Sequence, residues 1–268
     1  MMYAMLFIRT MLARAYPRFA QVRRQPSWLI TETLLPFLGV AAFAYVYRAM
    51  KAPEEYIGFV VLGGAMTAFW LNVLWSMGAQ LYWERSSGNL ELYIMSPAPM
   101  MGVLAGMALG GMALTMIRAT VIVSAGILLF DIPFAPSSWG LLIAVFLVTL
   151  LALYGMGMMF ASLFLLWGRE AYHIVNLLQE PVYLLTGMNF PLKIFPTAIA
   201  SIAIGIPLAA GMDAMRQLLF HVEGFLSVRT EALMLLGSAL VFIVLAKRML
   251  DYLERKAREE GRLTVRWQ

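Results

Sequence analysis

The sequence predicts an all-α protein that crosses a membrane several times. Of its 268 residues, 62% are hydrophobic and only 13% are charged, about half of the ~25% that is usual for soluble proteins. A soluble domain of this composition could not cover its own core with polar surface. Several apolar runs reach the ~20 residues that a helix needs to cross a hydrocarbon layer about 30 Å thick. The alternating strands of about ten residues that build membrane β-barrels are absent, so the spans are helices.

Residue types that are absent or rare exclude several kinds of site. The chain has no cysteine, which rules out disulfides, thiolate metal sites and cysteine nucleophiles. Its two histidines, His173 and His221, lie far apart in sequence, which argues against a histidine metal site. We expect His173, beside a cytoplasmic turn, to be an interfacial hydrogen-bonding residue rather than a catalytic one. No metal site is therefore predicted.

The first 27 residues form a basic segment that we expect to lie on the cytoplasmic membrane surface, as a helix broken near Pro17. The segment contains no acid and five arginines: Arg9, Arg14, Arg18, Arg23 and Arg24. A secretory signal peptide is the alternative interpretation, because Ala42-Phe43-Ala44 resembles a cleavage site. However, the apolar run from Trp28 to Tyr47 is too long for a signal sequence, and more spans follow it. We therefore take this run as the first span.

Five further apolar runs complete a predicted six-span domain over residues 28–246. The third is too long for one perpendicular crossing, so it is tilted or begins along the interface. The fifth holds Glu180 and Pro181. The runs are about Tyr56–Leu81, Met100–Phe130, Trp139–Trp167, Ala171–Phe190 and Glu231–Ala246.

Charge placement predicts which ends of these spans are inside. Basic residues favour the cytoplasmic side, and they are concentrated in the N-terminal segment and in the tail, residues 247–268. Both termini and the turn Gly168–Glu170 are then cytoplasmic, which requires an even number of crossings. The apolar run Ile194–Gly211 would break that parity as a seventh span, so we expect a re-entrant hairpin on the outer side, about residues 191–216. The basic residues of the tail are Lys247, Arg248, Arg255, Lys256, Arg258, Arg262 and Arg266.

A short polar element, "YWERSSGNLELYIMSPAPM", separates the second and third spans. The stretch Ser86-Ser87-Gly88 predicts a turn, and Asn89 is expected to cap a short helix, Leu90–Met95, that Pro97 and Pro99 end. We expect this helix to lie flat, with Leu90, Ile94 and Met95 towards lipid or core. Glu84, Arg85 and Glu91 would then face something soluble. A solvated connecting loop is the simpler interpretation of the same residues.

The polar element resembles the cytoplasmic motif of exporter-type ABC transporter permeases, the membrane subunits of drug, polysaccharide and lipid-linked glycan exporters. The matching residues are Glu84, Arg85, Gly88, Asn89, Leu90, Glu91, Ser96 and Pro97. A second stretch, from Pro181 to Gln217, resembles the fifth span, hairpin and following loop of the same family. Its matching residues are Pro181, Gly187, Phe190, Pro191, Pro196, Pro207, Asp213 and Arg216. One departure is Ile206 before Pro207, where family members often have Asn before the proline and an aromatic residue after it.

The resemblance implies a function and a set of partners. The polar element, about residues 83–99, would be a coupling helix seated in a groove of an ATP-binding cassette ATPase subunit, present in two copies. A second permease copy or a paralogue would complete the membrane part, in the plasma membrane of a prokaryote. The chain has no Gly-x-x-x-x-Gly-Lys-Ser/Thr motif, so ATP and Mg would be bound by the partner and no cofactor by this chain. The expected cargo is amphipathic: a drug, a lipid or a lipid-linked glycan. No nucleic-acid partner is expected.

Two groups of residues within the spans are candidate functional residues. Arg118 and Glu180 are charges inside apolar runs, where a charge usually faces a partner or a watery cavity. They could pair with each other, within or across protomers, or Arg118 could extend towards the interface. We also expect a pathway on the axis of a dimer, lined by the inner parts of the first, second and fifth spans. Its candidate residues are Phe43, Trp70, Asn72, Trp75 and Met188, although Asn72 could instead make a buried interhelical hydrogen bond.

Two other functions stay open from the sequence. An intramembrane enzyme that modifies lipids or glycans would need catalytic polar residues clustered at one membrane face, and the polar residues here are scattered. A secondary transporter built from inverted repeats would show similarity between its halves, and none is visible. Copurification with an ATPase subunit separates an ABC permease from both alternatives.

Overall fold

The computed structural model describes residues 2–132, 134–167 and 171–260. Within these ranges the regular structure is entirely helical, as predicted. The α-helices are α1 (Met2–Arg24), α2 (Pro26–Ala49), α3 (Glu54–Leu71), α4 (Gln80–Ser86), α5 (Asn89–Met95), α6 (Met100–Phe130), α7 (Trp139–Trp167), α8 (Ala171–Leu185), α9 (Thr197–Ala203), α10 (Pro207–Phe220) and α11 (Val228–Glu260). A π-helical segment, Asn72–Gly78, joins α3 to α4, so that one continuous rod leads from the second span to the polar element.

In the described part of the chain, five helical stretches are long and apolar enough to cross a membrane, and a bent helix pair raises the number to six if it counts as one span. The chain is therefore a multi-pass membrane protein. The predicted third and fourth spans coincide with α6 and α7. The bent pair is α9 and α10, which meet at 105°. The five stretches are Leu29–Ala49, Glu54–Ser86, Met100–Phe130, Trp139–Leu163 and Val228–Leu253.

The predicted fifth span is shorter than expected. Its helix, α8, has 15 residues and ends at Leu185 rather than at Phe190. It stops there because Gly187 adopts a left-handed conformation, with φ +62°, which does not continue a right-handed helix. The chain nevertheless follows the second span past the end of α8: the Trp75 indole N–H, in the π segment, donates to Gln179 of α8 at 2.9 Å, and the Thr67 hydroxyl of α3 contacts the sulfur of Met188, beyond α8, at 2.7 Å. The segment thus runs antiparallel to α3.

A stripe of glycines on α6 seats the N-terminal helix. Gly102, Gly106 and Gly110 recur every four residues, and the backbone of α1 lies directly over them: a Cβ on Gly106 would stand 2.5 Å from the Met11 carbonyl oxygen. Such small-residue spacing lets two helix backbones approach closely inside or beside a membrane. The N-terminal segment, expected on a membrane surface, therefore has a protein partner along its length.

The predicted break of α1 near Pro17 is wrong. The helix runs without interruption from Met2 to Arg24 and is broken at Gln25, before α2. Pro17 is exposed, and so is Ala13, whose carbonyl loses its helical hydrogen bond because proline has no N–H. That carbonyl can be solvated on the open side of α1, so the helix tolerates the proline.

Burial differs strongly between the spans. In the stretch Glu54–Ser86, 89% of the most apolar window is buried inside the chain, against 11% for Leu29–Ala49 and 22% for Val228–Leu253. The second span is thus the centre of the bundle, while α2 and α11 present most of their surface outwards. In a single protomer these outward surfaces are open to lipid or to another chain.

Some predicted features fall outside the described residues. They are the turn Gly168–Glu170, Pro133 in the turn between the third and fourth spans, and the last eight residues of the tail, with Arg262 and Arg266. The described part of the tail continues α11 as far as Glu260.

The glycine stripe predicts the effect of one added methyl group. Gly106→Ala places a Cβ against the Met11 carbonyl, so α1 must move away, and overpacking of this kind costs typically about 1–3 kcal/mol. We expect a lower melting temperature of the purified protein in detergent and faster proteolytic release of α1. The control is Gly39→Ala, since a Cβ there meets no atom within 4 Å. Equal melting temperatures and equal proteolysis of the two variants would contradict the packing of α1 on the stripe.

Candidate functional site

The polar element between the second and third spans is built around one buried carboxylate. Glu84 accepts hydrogen bonds from Gln80 Nε2 at 2.9 Å and from Asn89 Nδ2 at 3.0 Å, and it forms an ion pair with Arg14 of α1. Glu84 is buried, so the expectation that it faces something soluble is wrong. Its charge is satisfied inside the chain, because α1 brings a guanidinium to it from 70 residues away.

The short helix of this element starts one residue earlier than predicted. Gly88, with φ +77°, is the N-cap residue, and α5 runs from Asn89 to Met95. Asn89 therefore does not cap the helix: its side chain binds Glu84 instead. Gly88 suits this position because a left-handed φ costs glycine little. At the other end Ser96 is extended before Pro97, which ends the helix as the sequence predicts.

Two arginines of α1 fix the element from behind. Arg18 Nη2 donates to the Ser76 carbonyl at 2.9 Å and to Gln80 Oε1 at 3.1 Å, while the Arg14 guanidinium lies 5.7 Å from the centroid of the Tyr93 ring. Burial lowers the pKa of Arg18, and the neighbouring positive charge of Arg14 lowers it further. Burial also raises the pKa of the Tyr93 hydroxyl. The sequence shows five arginines in this segment, but nothing in it distinguishes these two.

The outward side of the same element exposes three large apolar side chains as well as the small polar residues Ser86, Ser87 and Asn89. Trp83, Leu92 and Met95 are 48%, 60% and 74% exposed, whereas Leu90 is buried, as predicted. Met95 was expected towards lipid or core, and the side chain of Ile94 lies outside the described residues. Arg85 and Glu91 are half-buried at the margin. We call Trp83, Leu92 and Met95 the tip residues, since they form the exposed apolar part of the turn between α4 and α6.

The intramembrane arginine pairs with a residue that the sequence reading overlooked. Arg118 Nη1 donates to Glu32 Oε2 at 2.8 Å, so the suggested pair of Arg118 with Glu180 is wrong within the protomer. The reason is the order of the helices: α2 runs beside α6, whereas α8 contacts the π segment and α7. Glu180 is exposed on α8 and accepts a hydrogen bond from the neighbouring Gln179. A carboxylate within the first apolar run was the signal that could have suggested Glu32.

Most of the predicted pathway residues are buried inside the protomer. Trp70, Asn72 and Met188 belong to the core, and Asn72 accepts a hydrogen bond from the Tyr154 hydroxyl at 2.9 Å. The alternative role of Asn72, a buried interhelical hydrogen bond, is therefore the one the structure has. Trp75 is partly buried and is bonded to α8, whereas Phe43 is exposed on α2. Of the five candidate pathway residues, only Phe43 is therefore exposed on the surface of the protomer.

Arg216 organises the segment that follows α8. Its guanidinium is buried and donates to the carbonyls of Gly187 at 2.7 Å, Met188 at 3.0 Å and Phe190 at 3.1 Å. It also lies 4.9 Å from the centroid of the Phe59 ring in α3. These carbonyls have left the helical hydrogen-bond pattern, and a guanidinium with five N–H donors can satisfy several of them at once.

Prolines begin both helices of the bent pair. Pro196 is the N-cap residue of α9, and Pro207 is the first residue of α10, a position where the missing N–H costs nothing. Ile206, the departure from the family pattern, is the extended N-cap of α10. In the middle of α10, Asp213 accepts a hydrogen bond from the Phe225 N–H at 2.6 Å and so holds the loop that follows the helix.

Residues 8–220, well over half of the chain, match the family described as ABC-2 type transporter. The chain belongs to this family. The match runs from α1 through the polar element to the end of α10, so it includes both stretches that carried the resemblance. A comparison with curated proteins finds no match. ABC-2 permeases work with ATP-binding cassette subunits, which makes this chain a transport subunit rather than an enzyme in its own right.

The ion pair between the first and third spans predicts a coupled pair of mutations. Glu32→Gln and Arg118→Gln should each lower the unfolding midpoint in detergent, because each leaves a charge without its partner. The double variant should lose less than the two single losses together, with a coupling of about 0.5–3 kcal/mol. In the control cycle, Arg118→Gln with Glu180→Gln, the losses should add. If the control cycle showed coupling and the cycle of Glu32 with Arg118 showed additive losses, the partner of Arg118 would be Glu180 rather than Glu32.

Proposed function

We propose that this ABC-2 permease is the transmembrane subunit of an ATP-driven exporter. It would move an amphipathic substrate, such as a drug, a lipid or a lipid-linked glycan, out of the cytoplasm or the inner leaflet. A separate ATPase subunit, in two copies, binds ATP and Mg and supplies the energy. The observation that carries this proposal is the polar element: its buried carboxylate, Glu84, is bonded within the chain, and three large apolar side chains are exposed on it.

The tip residues have the composition of an interface anchor. Aromatic residues and methionine are enriched at interface centres, and a few such residues carry most of the binding energy. Trp83 and Met95 fit that description, Leu92 adds exposed apolar area, and Arg85 and Glu91 lie at the polar margin. The ATPase would therefore hold the element through apolar contacts, while Glu84 keeps it rigid from inside.

The helices behind the tip suit the transmission of a push. The polar element ends the second span without a flexible linker, because α3, the π segment and α4 form one stretch. Arg14 and Arg18 tie the same end to α1, which rests on the glycine stripe of α6. A displacement of the tip would therefore move α1, the second span and α6 together, as a rigid-body transition requires.

The contacts of the bent pair support the re-entrant hairpin. Lys193, before α9, donates to Glu223, after α10, at 3.1 Å, so both ends of the pair lie together. Between these ends, Ala203 packs in an apolar cluster with Ala152 and Ala239, each well inside its helix, α7 and α11. A chain that leaves from where it entered does not cross, which restores six crossings if α8 is a short fifth span. The termini and the tip are then cytoplasmic.

The outward faces of α2 and α8 are the proposed place for the substrate pathway. His173, Asn176 and Glu180 are exposed on α8 at spacings of three and four residues, so they share one side of the helix. A polar side at membrane depth requires water or protein beside it. Phe43 on the little-buried α2 adds an aromatic surface. A second permease copy or a paralogue would enclose these faces, which together suit an amphipathic molecule.

The tip predicts how ATPase binding is lost. Replacing Trp83, Leu92 and Met95 with alanine should weaken copurification of the ATPase subunit at least about fivefold, since anchor truncations cost more than ~1 kcal/mol. The melting temperature of the permease should not change, because these side chains are exposed. The control variant carries alanine at Leu233 and Leu240, which are equally exposed on α11. Undiminished ATPase binding in the tip variant would remove the main support for the proposed function.

The proposed orientation predicts a labelling pattern, which the absence of cysteine makes clean. Ser87 and Glu223 are both exposed, but they belong to opposite sides of the membrane. In intact cells an impermeant maleimide should label a Glu223→Cys variant, and it should reach a Ser87→Cys variant only after the membrane is opened. Labelling of the Ser87→Cys variant in intact cells would invert the topology.

A further inference from the structure

Two buried carboxyl groups face each other where α10 meets α11. Gln217 Nε2 lies 3.4 Å from Asp213 Oδ2 and 3.0 Å from Glu231 Oε2, so one amide serves both acids. Asp213 and Glu231 are both almost fully buried. The following loop closes tightly over them, since a Cβ on Gly224 would stand 2.5 Å from Asp213 Oδ2. The loop therefore covers Asp213 on the side of Gly224.

One oxygen of this pair has no donor. Glu231 Oε1 is buried, and no residue in the described part of the chain donates a hydrogen bond to it. Because the same Gln217 nitrogen lies within 3.4 Å of an oxygen of each acid, the two carboxyl groups are direct neighbours. Two ionised carboxylates are acceptors only, so they cannot bond to each other unless a proton lies between them. Like charges this close also disfavour ionisation of both.

The charged groups around the pair balance one carboxylate but not two. On α10, Arg216 is near Asp213 and is the only buried cation of the described residues there. On α11, Arg229 is exposed. In the connecting loop His221 is exposed, and Glu223 is bonded to Lys193. A net negative charge therefore remains in the buried site if both acids are ionised.

A metal ion fits this site less well than a proton. Calcium takes six to eight oxygen ligands, roughly, and the described residues contain no group of three or more acidic, histidine or cysteine side chains that could hold a metal. Gln217 also already directs its amide nitrogen towards the two acids and the Leu226 carbonyl. A cation at the same place would meet this N–H group.

We propose that Asp213 and Glu231 bind one proton between them and form a carboxylic acid–carboxylate pair that joins α10 to the first turn of α11. The ligand of the site is a hydrogen ion, exchanged with the solvent on the side of the connecting loop. If that side is the outer one, as the proposed topology has it, the junction of the hairpin with the last span responds to the pH outside the cell.

The test compares the full-length protein in detergent with Glu231→Gln and, as the matched control, Glu223→Gln in the adjacent loop. The infrared C=O stretch of a protonated carboxyl group should be present at neutral pH in the wild type and in the control and absent in Glu231→Gln. The amide group of the glutamine introduced at position 231 can donate a hydrogen bond to Asp213, so that variant needs no shared proton. A proton held more tightly in the folded than in the unfolded state stabilises less as pH rises. The melting temperature of the wild type and the control should therefore fall in alkaline buffer more than that of Glu231→Gln.

Two results would overturn the proposal. One is a carboxylic-acid band that is unchanged in Glu231→Gln, together with a parallel alkaline loss of stability in all three proteins. The other is a rise in the wild-type melting temperature with added calcium that Glu231→Gln lacks, which would assign the site to a metal ion. Neither result depends on ATPase binding at the tip, so failure here is distinguishable from failure of the proposed function.

Discussion

The fold depends on one buried guanidinium, that of Arg216. Inside a hydrocarbon layer each backbone carbonyl that leaves a helix must find a donor within the protein. The chain after α8 abandons helical geometry at Gly187, and Arg216 satisfies the carbonyls of Gly187, Met188 and Phe190. That bonding holds the end of α8 against α3, where Gly63 lacks the Cβ that would overlap the Met188 carbonyl. It also fixes α10 beside both. Desolvating a guanidinium is costly, but here one guanidinium satisfies three backbone carbonyls and links α10 to the segment after α8.

At the opposite end of the bundle, charged side chains are again bonded inside the protein. Arg14 and Arg18 donate their hydrogen bonds to Glu84, Gln80 and the Ser76 carbonyl, so the central carboxylate of the polar element is used inside the protein. Glu84, which looks like a recognition residue in sequence, therefore stabilises the fold here. The large side chains exposed to a partner are the apolar tip residues.

Hydropathy and turn residues predict much of the fold, because they act locally. The bounds of α6 and α7 follow from apolar runs closed by turn residues, and Pro196 and Pro207 mark the starts of α9 and α10. Contacts across the bundle are not local, so the sequence could not order the helices. That is why Arg118 was matched with Glu180 rather than with Glu32, and why Asn89 was expected to cap α5 instead of binding Glu84. The spacing of Gly102, Gly106 and Gly110 was visible in the sequence, but its partner helix was not.

The pairing of Glu32 with Arg118 also sets an order on biosynthesis. The two residues are 86 positions apart, and at about 5–20 residues per second a ribosome needs roughly 4–17 s to make the chain between them. During that interval α2, the first span, already carries Glu32, while α6, which carries the neutralising Arg118, has not been made. Glu32 stands only six residues after Pro26, close to the start of α2, so it can wait at the membrane surface. The final packing of α2 is then a late step of assembly, which follows the insertion of α6.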